Sequence, residues 1–262
     1  MSADGITYVL AILAGVLAGI INTLAGSGSI VTLPMLVFLG LSPSVANGTN
    51  RVGVIVQNIV GIATFRQQGQ LQLEGGLWLT VPAMIGAVLG AQIAVNLNEQ
   101  AMNLAIGIVM VVMLFVVLFN PKQWMRVSSN VQSGRPSIWI LGIFFVIGIY
   151  GGFIQAGVGV FLLVALVMGV GYSMVHANAI KLMIVLALSL AAIVVFINND
   201  QVDWGLGVLM AIGQSIGAWL AARYASNNPN ANIWVRRLLI AVILVSIAKF
   251  FGLMDLAGRL MG

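Results

Sequence analysis

The chain repeats itself at half its length. When the sequence is shifted by 131 residues, residues 28–91 align with residues 159–222 without a gap, and 15 of the 64 aligned positions are identical. This composition gives roughly five or six identities by chance. Both copies are strongly apolar. A duplicated apolar unit is how many secondary transporters are built, with the substrate held between the copies.

Composition restricts the class of protein. Hydrophobic residues make up 61% of the chain and charged residues 6%, whereas soluble domains carry about 25% charged residues. The sequence therefore predicts an all-α polytopic membrane protein whose surroundings are the lipid bilayer. With no cysteine and one histidine, disulfides, thiolate metal sites and multi-histidine metal centres are excluded. We therefore expect no cofactor and no metal. We also expect no nucleic-acid partner, because most of the net positive charge lies in two loops, where it marks the topology of the chain.

Eight apolar segments are long enough to be membrane spans. They lie near residues 6–24, 45–65, 76–95 and 100–119 in the first half and near residues 138–155, 175–197, 204–224 and 233–254 in the second. Two shorter segments, 29–40 and 159–171, follow the first helix of each half. A full crossing needs about 20 residues, so these are predicted to be broken or re-entrant. The domains are then a first repeat (1–120), a cytoplasmic linker (121–137) and a second repeat (138–262).

Charges in the loops orient the two copies. Loops 120–137 and 223–237 carry basic residues and are predicted to be cytoplasmic. In loops 96–99 and 198–203 the only charged residues are acidic, and these loops are predicted to be outside. Loop 66–75 is predicted to be cytoplasmic, although its counterpart in the second copy, loop 198–203, is predicted to be outside. The sequence therefore predicts two inverted-topology repeats, each with about four transmembrane helices and one short segment, with both termini outside.

A glycine-rich stretch precedes each short segment. Residues 22–29 read NTLAGSGS, and residues 155–159 read QAGVG. Glycines let the backbone leave the helix, and the freed N–H groups at the next helix start can point at an anion; Ser29 is the expected N-cap. The alternative is close packing of helices through small residues. Candidate substrate-binding residues in these stretches are Asn22, Ser27, Gly28, Gln155 and Gly157.

Arg51 and Lys181 are basic residues within predicted spans. Asn47 shares a helix face with Arg51, and Asn178 with Lys181, because they are four and three residues apart. A charge at this depth costs about 2.5–3.5 kcal/mol and is usually functional. Because all six acidic residues lie outside the spans or at their ends, two buried cations predict a bound anion. The alternative is that both side chains snorkel to the interface, as we expect for Lys249.

Other polar residues in the spans have simpler interpretations. Ser42, followed by proline, is the expected N-cap of the next helix. His176, at the start of the counterpart helix, is a candidate proton relay, or an interfacial polar residue. Gln57, Gln92 and Gln214 are interpreted as interhelical hydrogen-bonding groups.

Several short motifs resemble those of a known family. They are the first glycine-rich break, the step Leu33-Pro34, Leu39-Gly40 followed by Ala46-Asn47-Gly48-Thr49-Asn50, and the pair Gly157 and Gly159. Over nearly the whole chain this resembles the TauE/SafE family of sulfite exporters and related anion permeases. The resemblance implies an inner-membrane carrier of sulfite, thiosulfate, sulfoacetate or other sulfonates. It also implies that Asn47, Thr49 and Asn50 belong to the substrate site, which is expected to be asymmetric because Ala179-Ile180-Lys181 replaces Gly48-Thr49-Asn50 in the second copy.

Together these observations predict a secondary transporter, not an enzyme, that exports a small organosulfur oxyanion by alternating access. Arg51 and Lys181 would supply charge. The groups that would hydrogen-bond the oxygens are Asn22, Ser27, Asn47, Asn50, Gln155 and Asn178. An anion channel and a membrane assembly factor without transport are the alternatives. Besides the small anionic substrate and the bilayer, a second copy of the chain, as a homodimer, is left open as a partner.

Overall fold

The computed structural model describes residues 3–67, 75–119, 136–223 and 231–251, and these residues form helices and short connections without strands. The helices in these ranges are α1 (Ala3–Ala25), α2 (Ser29–Phe38), α3 (Pro43–Gln67), α4 (Gly76–Val95), α5 (Glu99–Phe119), α6 (Ile138–Phe153), α7 (Val158–Val164), α8 (Met174–Asn198), α9 (Trp204–Arg223) and α10 (Ala231–Phe250). A π-helical segment, Ala165–Val170, continues α7. The eight predicted spans are confirmed as helices, with ends that move by at most four residues. Most of the predicted linker lies outside the described residues, so the domain boundaries stay a prediction.

Helix α3 differs from the other long helices. Within the described ranges, α1, α4, α5, α8 and α9 are long and apolar enough to cross a membrane. Helix α3 has 25 residues but is more polar. Its polar side chains at positions 47, 49, 50, 51, 57 and 58 are all buried. Because they face the interior of the bundle, the neighbouring helices shield them from lipid.

Helices α3 and α8 are counterparts in the repeat, because adding 131 to the bounds of α3 gives the bounds of α8. They pack against each other in opposite directions. Near the start of α3, the Arg51 guanidinium carbon lies 4.7 Å from the centre of the Phe196 ring, which is near the end of α8. Near the end of α3, Gly61 faces Leu182, which is near the start of α8. Two equivalent helices are therefore antiparallel neighbours.

Glycine stripes join two further pairs of helices across the copies. Helix α1 packs on α9, and α4 packs on α6, in each case with the two helices running in the same direction. Gly19 touches the backbone of Gln214, and Gly152 touches the backbone of Ala87, so a Cβ at either glycine would overlap the partner helix. Small residues allow this close approach between membrane helices. The two pairs are equivalent under the repeat, so each copy packs its first helix on the other copy.

Each short segment folds back on the helix before it. Gly28, at the start of α2, lies against the backbone of Ala18, although a continuous helix would separate residues ten apart by about 15 Å. The side chain of Val158, at the start of α7, packs on Gly151 of α6. Both short segments therefore form helical hairpins with the helix before them. The turn of the first contains Gly26, with a φ of 74° that favours glycine.

Two helix starts differ from their predicted caps. Ser29 is the first residue of α2 and not its N-cap, because Gly28 occupies the cap position with helical backbone angles. Ser42 precedes α3 as predicted, but its hydroxyl donates to Glu99 Oε1 at 3.0 Å. Glu99 Oε2 accepts the Ser44 N–H at 3.2 Å. A carboxylate from α5 therefore caps α3, and it is a stronger partner for helix N–H groups than a neutral hydroxyl.

Candidate substrate site

Arg51 is completely buried, and its hydrogen-bond partners are backbone carbonyls. Its two terminal nitrogens donate to Gly151 O at 3.1 Å and to Gly152 O at 2.5 Å. Asn47, one turn earlier, donates to Phe153 O at 2.7 Å. These carbonyls form the C-terminal end of α6, where the helix dipole places about half a negative charge. We call Asn47, Arg51 and the carbonyls of residues 151–153 the first cation cluster.

Lys181, near the start of α8, is also buried. Its ammonium group lies against the C-terminal end of a different helix, α1. Its ammonium group donates to Asn178 Oδ1 at 2.6 Å and to Asn22 O at 3.5 Å. Asn22 lies in the last turn of α1. The predicted sharing of a helix face by Asn178 and Lys181 is confirmed. We call Asn22, Asn178 and Lys181 the second cation cluster.

The two clusters are related by the repeat. Residues 22 and 153 are equivalent positions, and the carbonyl of each accepts a hydrogen bond from the third helix of the other copy. Side chains of α3 thus hold the end of α6, and side chains of α8 hold the end of α1. Since a cation near a helix C-terminus is stabilised by the dipole, this exchange compensates part of the cost of burying two charges.

The clusters lie at different depths along the α3–α8 pair. Arg51 stacks beside Phe196, which is 15 residues from Lys181 on α8, or about 22 Å along the helix. The sequence had suggested one site to which Arg51 and Lys181 both supply charge. The structure places them in two clusters instead, because antiparallel packing of equivalent helices sends equivalent residues to opposite ends. For the same reason Asn47 and Asn178 are not neighbours.

The two glycine-rich breaks meet each other. The backbone of Gly26 touches that of Gly159, so closely that a side chain at either position would overlap the other chain segment. Ser27 is buried beside this contact, and the Gly28 N–H donates to Asn22 Oδ1 at 3.4 Å. The breaks therefore connect the end of α1, in the second cluster, with the end of α6, in the first.

Two amide side chains near the breaks keep one polar atom without a protein partner. Thr32 on α2 donates to Asn50 Oδ1, and Gln155 donates to Ser189 Oγ at 2.5 Å. Asn50 Nδ2 and Gln155 Oε1 are buried without a hydrogen-bond partner in the described part of the chain. Both residues were predicted from the sequence, and both retain an atom that can contact a ligand.

Three other predicted residues lie in different surroundings. Thr49 Oγ1 accepts the Asp203 N–H at 2.8 Å, so this side chain holds the chain segment that leads into α9. Gly157 occupies the turn before α7 with a φ of 74°. The His176 ring lies 4.5 Å from the Tyr172 ring, at the start of α8, and its role as a proton relay stays a prediction.

The carbonyl partners of the cations were missed by sequence reasoning. That reasoning looked for a buried carboxylate and, finding none, inferred a bound anion. Helix C-terminal carbonyls are a third kind of partner. The available signal was the pair Gly151-Gly152 just before the break, because a helix that ends inside a membrane must have its last carbonyls satisfied.

Apolar helices, a shielded polar helix and helical hairpins that meet within the bundle define a multi-pass membrane protein. The family profile described as sulfite exporter TauE/SafE matches residues 11–250, and the chain belongs to that family. A probable membrane transporter protein, ORF9, of Sinorhizobium sp is 26% identical over 212 residues, covering 81% of this chain and 80% of the relative.

Two other relatives carry similar names. A probable membrane transporter protein, YfcA, of Escherichia coli (strain K12) is 25% identical over 233 residues, or 89% of this chain and 85% of the relative. Another, YdhB of Bacillus subtilis (strain 168), is 23% identical over 220 residues, or 83% and 88%. No solved structure matches this chain.

Proposed function

We propose that the protein exports a small organosulfur oxyanion of the sulfite, sulfonate or thiosulfate class by alternating access. The description of the family names sulfite, and the resemblance found in the sequence extends the class to sulfonates and thiosulfate. The observation that carries the proposal is the incomplete compensation of charge at Arg51 in the first cation cluster. Its full positive charge faces a helix end that carries about half a negative charge.

An oxyanion would complete this compensation. Arg51 uses two of its five N–H groups on Gly151 and Gly152, and its Nε–H has no partner among the described residues. Asn50 and Gln155 add the unpartnered amide atoms described above. Hydrogen bonds to a charged group are worth about 1.5–3 kcal/mol each, so a few such groups can hold a small anion.

We propose that the repeats have inverted topology in the inner membrane, with both termini outside. The antiparallel packing of α3 on α8 supports this arrangement. Gln201 donates to Val95 O at 3.4 Å, so loops 96–98 and 199–203 lie at the same end of the molecule, as expected if both face outward. In the transport cycle one set of elements would then move against the other about the meeting hairpins.

Labelling of single cysteines can test this topology, because the natural chain has no cysteine. A cysteine at position 98 or 200 should react with a membrane-impermeant maleimide on intact cells. A cysteine at position 70 should react only after the membrane is permeabilised. Equal labelling of positions 70 and 200 on intact cells would show that the repeats are parallel.

A thermal-shift screen of the purified protein tests the substrate class. Ligands that bind the native state raise its apparent stability, so sulfite, thiosulfate, sulfate, sulfoacetate, taurine and simple carboxylates should be compared. Ligands that raise the melting temperature then go into proteoliposome uptake. Saturation and counterflow indicate a carrier, linear uptake without counterflow indicates an anion channel, and no uptake of any anion indicates an assembly factor.

A further inference from the structure

Gln57 and Gln214 are buried amides that the two cation clusters do not include. Gln57 is on α3 and Gln214 on α9, and each lies close to the middle of its helix. The Gln214 amide lies directly on Gly53, where any Cβ would overlap it. Gln57 is one turn after Gly53 on the same face of α3. The two amides are therefore neighbours on one side of α3.

These amides make few of the hydrogen bonds that their burial demands. Both polar atoms of Gln57, and Nε2 of Gln214, lack a partner within the described ranges. Both side chains are almost completely buried. The sequence suggested that these glutamines are interhelical hydrogen-bonding groups, but these three atoms make no such bond to the residues that the structure describes. Buried polar groups nearly always have a protein or ordered-water partner, so three orphaned atoms in one place mark a polar space that a ligand or a water can occupy.

The equivalent place in the other copy is apolar. Positions 53, 57 and 214 correspond to Ile184, Leu188 and Ala83, which are all fully buried. The equivalent pair of helices, α8 and α4, thus packs without any amide at these positions. Because apolar residues are sufficient for packing there, packing does not explain the two glutamines of α3 and α9.

Gln57 lies at a depth between the two cation clusters. Gln57 is six residues after Arg51 on α3 and four before Gly61, which faces Leu182 beside Lys181. It lies about 9 Å in depth from Arg51 and about 6 Å from Gly61. Asn50, with its unpartnered Nδ2, is seven residues before Gln57 and so on nearly the same face. A line of amide donors therefore spans the interval between the cations.

We propose that Gln57 and Gln214 form an intermediate subsite for the transported oxyanion, between the two cation clusters. This rests on the proposed function. The two Nε2 groups donate to oxygens of the anion, and Gln57 Oε1 accepts from its protonated form or from a water that travels with it. Neutral amides suit an intermediate position, since they hold an anion without the tight electrostatic binding that would stop its passage.

The residues at the equivalent positions of the other copy supply the substitutions for the test. The double variant Gln57→Leu, Gln214→Ala carries the residues that the equivalent apolar interface contains. Gln92→Leu, on an exposed face of α4, is the matched control. Melting temperature without ligand, together with binding and proteoliposome transport of sulfite and of thiosulfate, should be measured for the wild type and both variants.

We expect the double variant to keep or raise the melting temperature while the Kd or KM for the anion rises about tenfold or more, as for lost hydrogen bonds to a charged group. The control should match the wild type. A lower melting temperature with unchanged anion affinity would show that the amides only crosslink helices. Unchanged stability and transport would show that they hold only water. Altered sodium dependence with unchanged anion affinity would show a cation site. Each of these three results overturns the subsite.

Failure of the subsite can be separated from failure of the proposed function. If the wild type neither binds nor transports any anion of the screen, both proposals fall. If the wild type transports an anion that Lys181→Gln impairs but the double variant does not, the proposed function stands and the subsite alone is overturned.

Discussion

Arg51 and Lys181 stand in nearly equivalent places of the two repeats, yet they are held differently. Arg51 bridges two consecutive carbonyls at 3.1 and 2.5 Å and stacks on Phe196. Lys181 bonds closely to Asn178 at 2.6 Å, but its carbonyl contact with Asn22 is 3.5 Å long. Because guanidinium is a planar fork and ammonium a point charge, the first cluster resembles a structural cap. The long contact between the Lys181 ammonium and the Asn22 carbonyl is the one that a substrate can change more easily.

The largest effect is expected from Arg51→Gln. Removing the guanidinium leaves the carbonyls of Gly151 and Gly152 buried without their donors, and each buried acceptor left unsatisfied costs about 1–3 kcal/mol. Arg51→Lys should lie between this variant and the wild type, since one ammonium cannot bridge both carbonyls in the same way. Melting curves and the yield of folded protein measure the loss. If Arg51→Gln melts like the wild type, the first cluster does not act as a structural cap on α6.

Lys181→Gln should affect ligand binding more than folding. Loss of the charge should weaken anion binding by roughly 1.5–3 kcal/mol, or about 10- to 150-fold in Kd. The melting temperature without ligand should fall less than in Arg51→Gln. Titration of the purified variant with the anion found in the screen gives the affinity. Normal affinity in a well-folded Lys181→Gln protein would contradict a substrate role for the second cluster.

Gly152→Ala tests the helix contact that supports the first cluster. The added methyl group would overlap the Ala87 carbonyl, and overpacking of this kind costs typically about 1–3 kcal/mol. Gly142→Ala in the same helix is the control, because nothing lies within 4 Å of a Cβ there. We expect a lower melting temperature for Gly152→Ala alone. Equal behaviour of the two variants would mean that α6 and α4 are not in such close contact.

The smallest effect is expected from Thr49→Ala. Its hydroxyl accepts the Asp203 N–H, and one such hydrogen bond contributes about 1 kcal/mol. Stability should fall slightly, whereas anion affinity should not change, because Thr49 faces the start of α9 and not a cation cluster. The family resemblance placed Thr49 at the substrate site, so a marked loss of affinity at unchanged stability would support that placement against ours.

Much of the fold could be predicted from the sequence because membrane helices are specified by local composition. Runs of apolar residues of sufficient length set the eight long helices, and glycine-rich stretches set the two breaks. The buried positions of Arg51 and Lys181 were also predictable, since a basic residue inside an apolar span has few other places to go. The shift of 131 residues identified which helices are counterparts.

Tertiary structure decided which groups meet. The sequence could not show that the end of α6 would receive the side chains of α3, because the glycines at residues 151 and 152 mark a helix end but do not identify its partners, about 100 positions away. Nor could it show that Arg51 and Lys181 lie in separate clusters, which follows from the antiparallel contact of α3 with α8. Local sequence determines where a membrane helix forms and where it breaks, whereas pairing between helices depends on contacts that only the packed bundle creates.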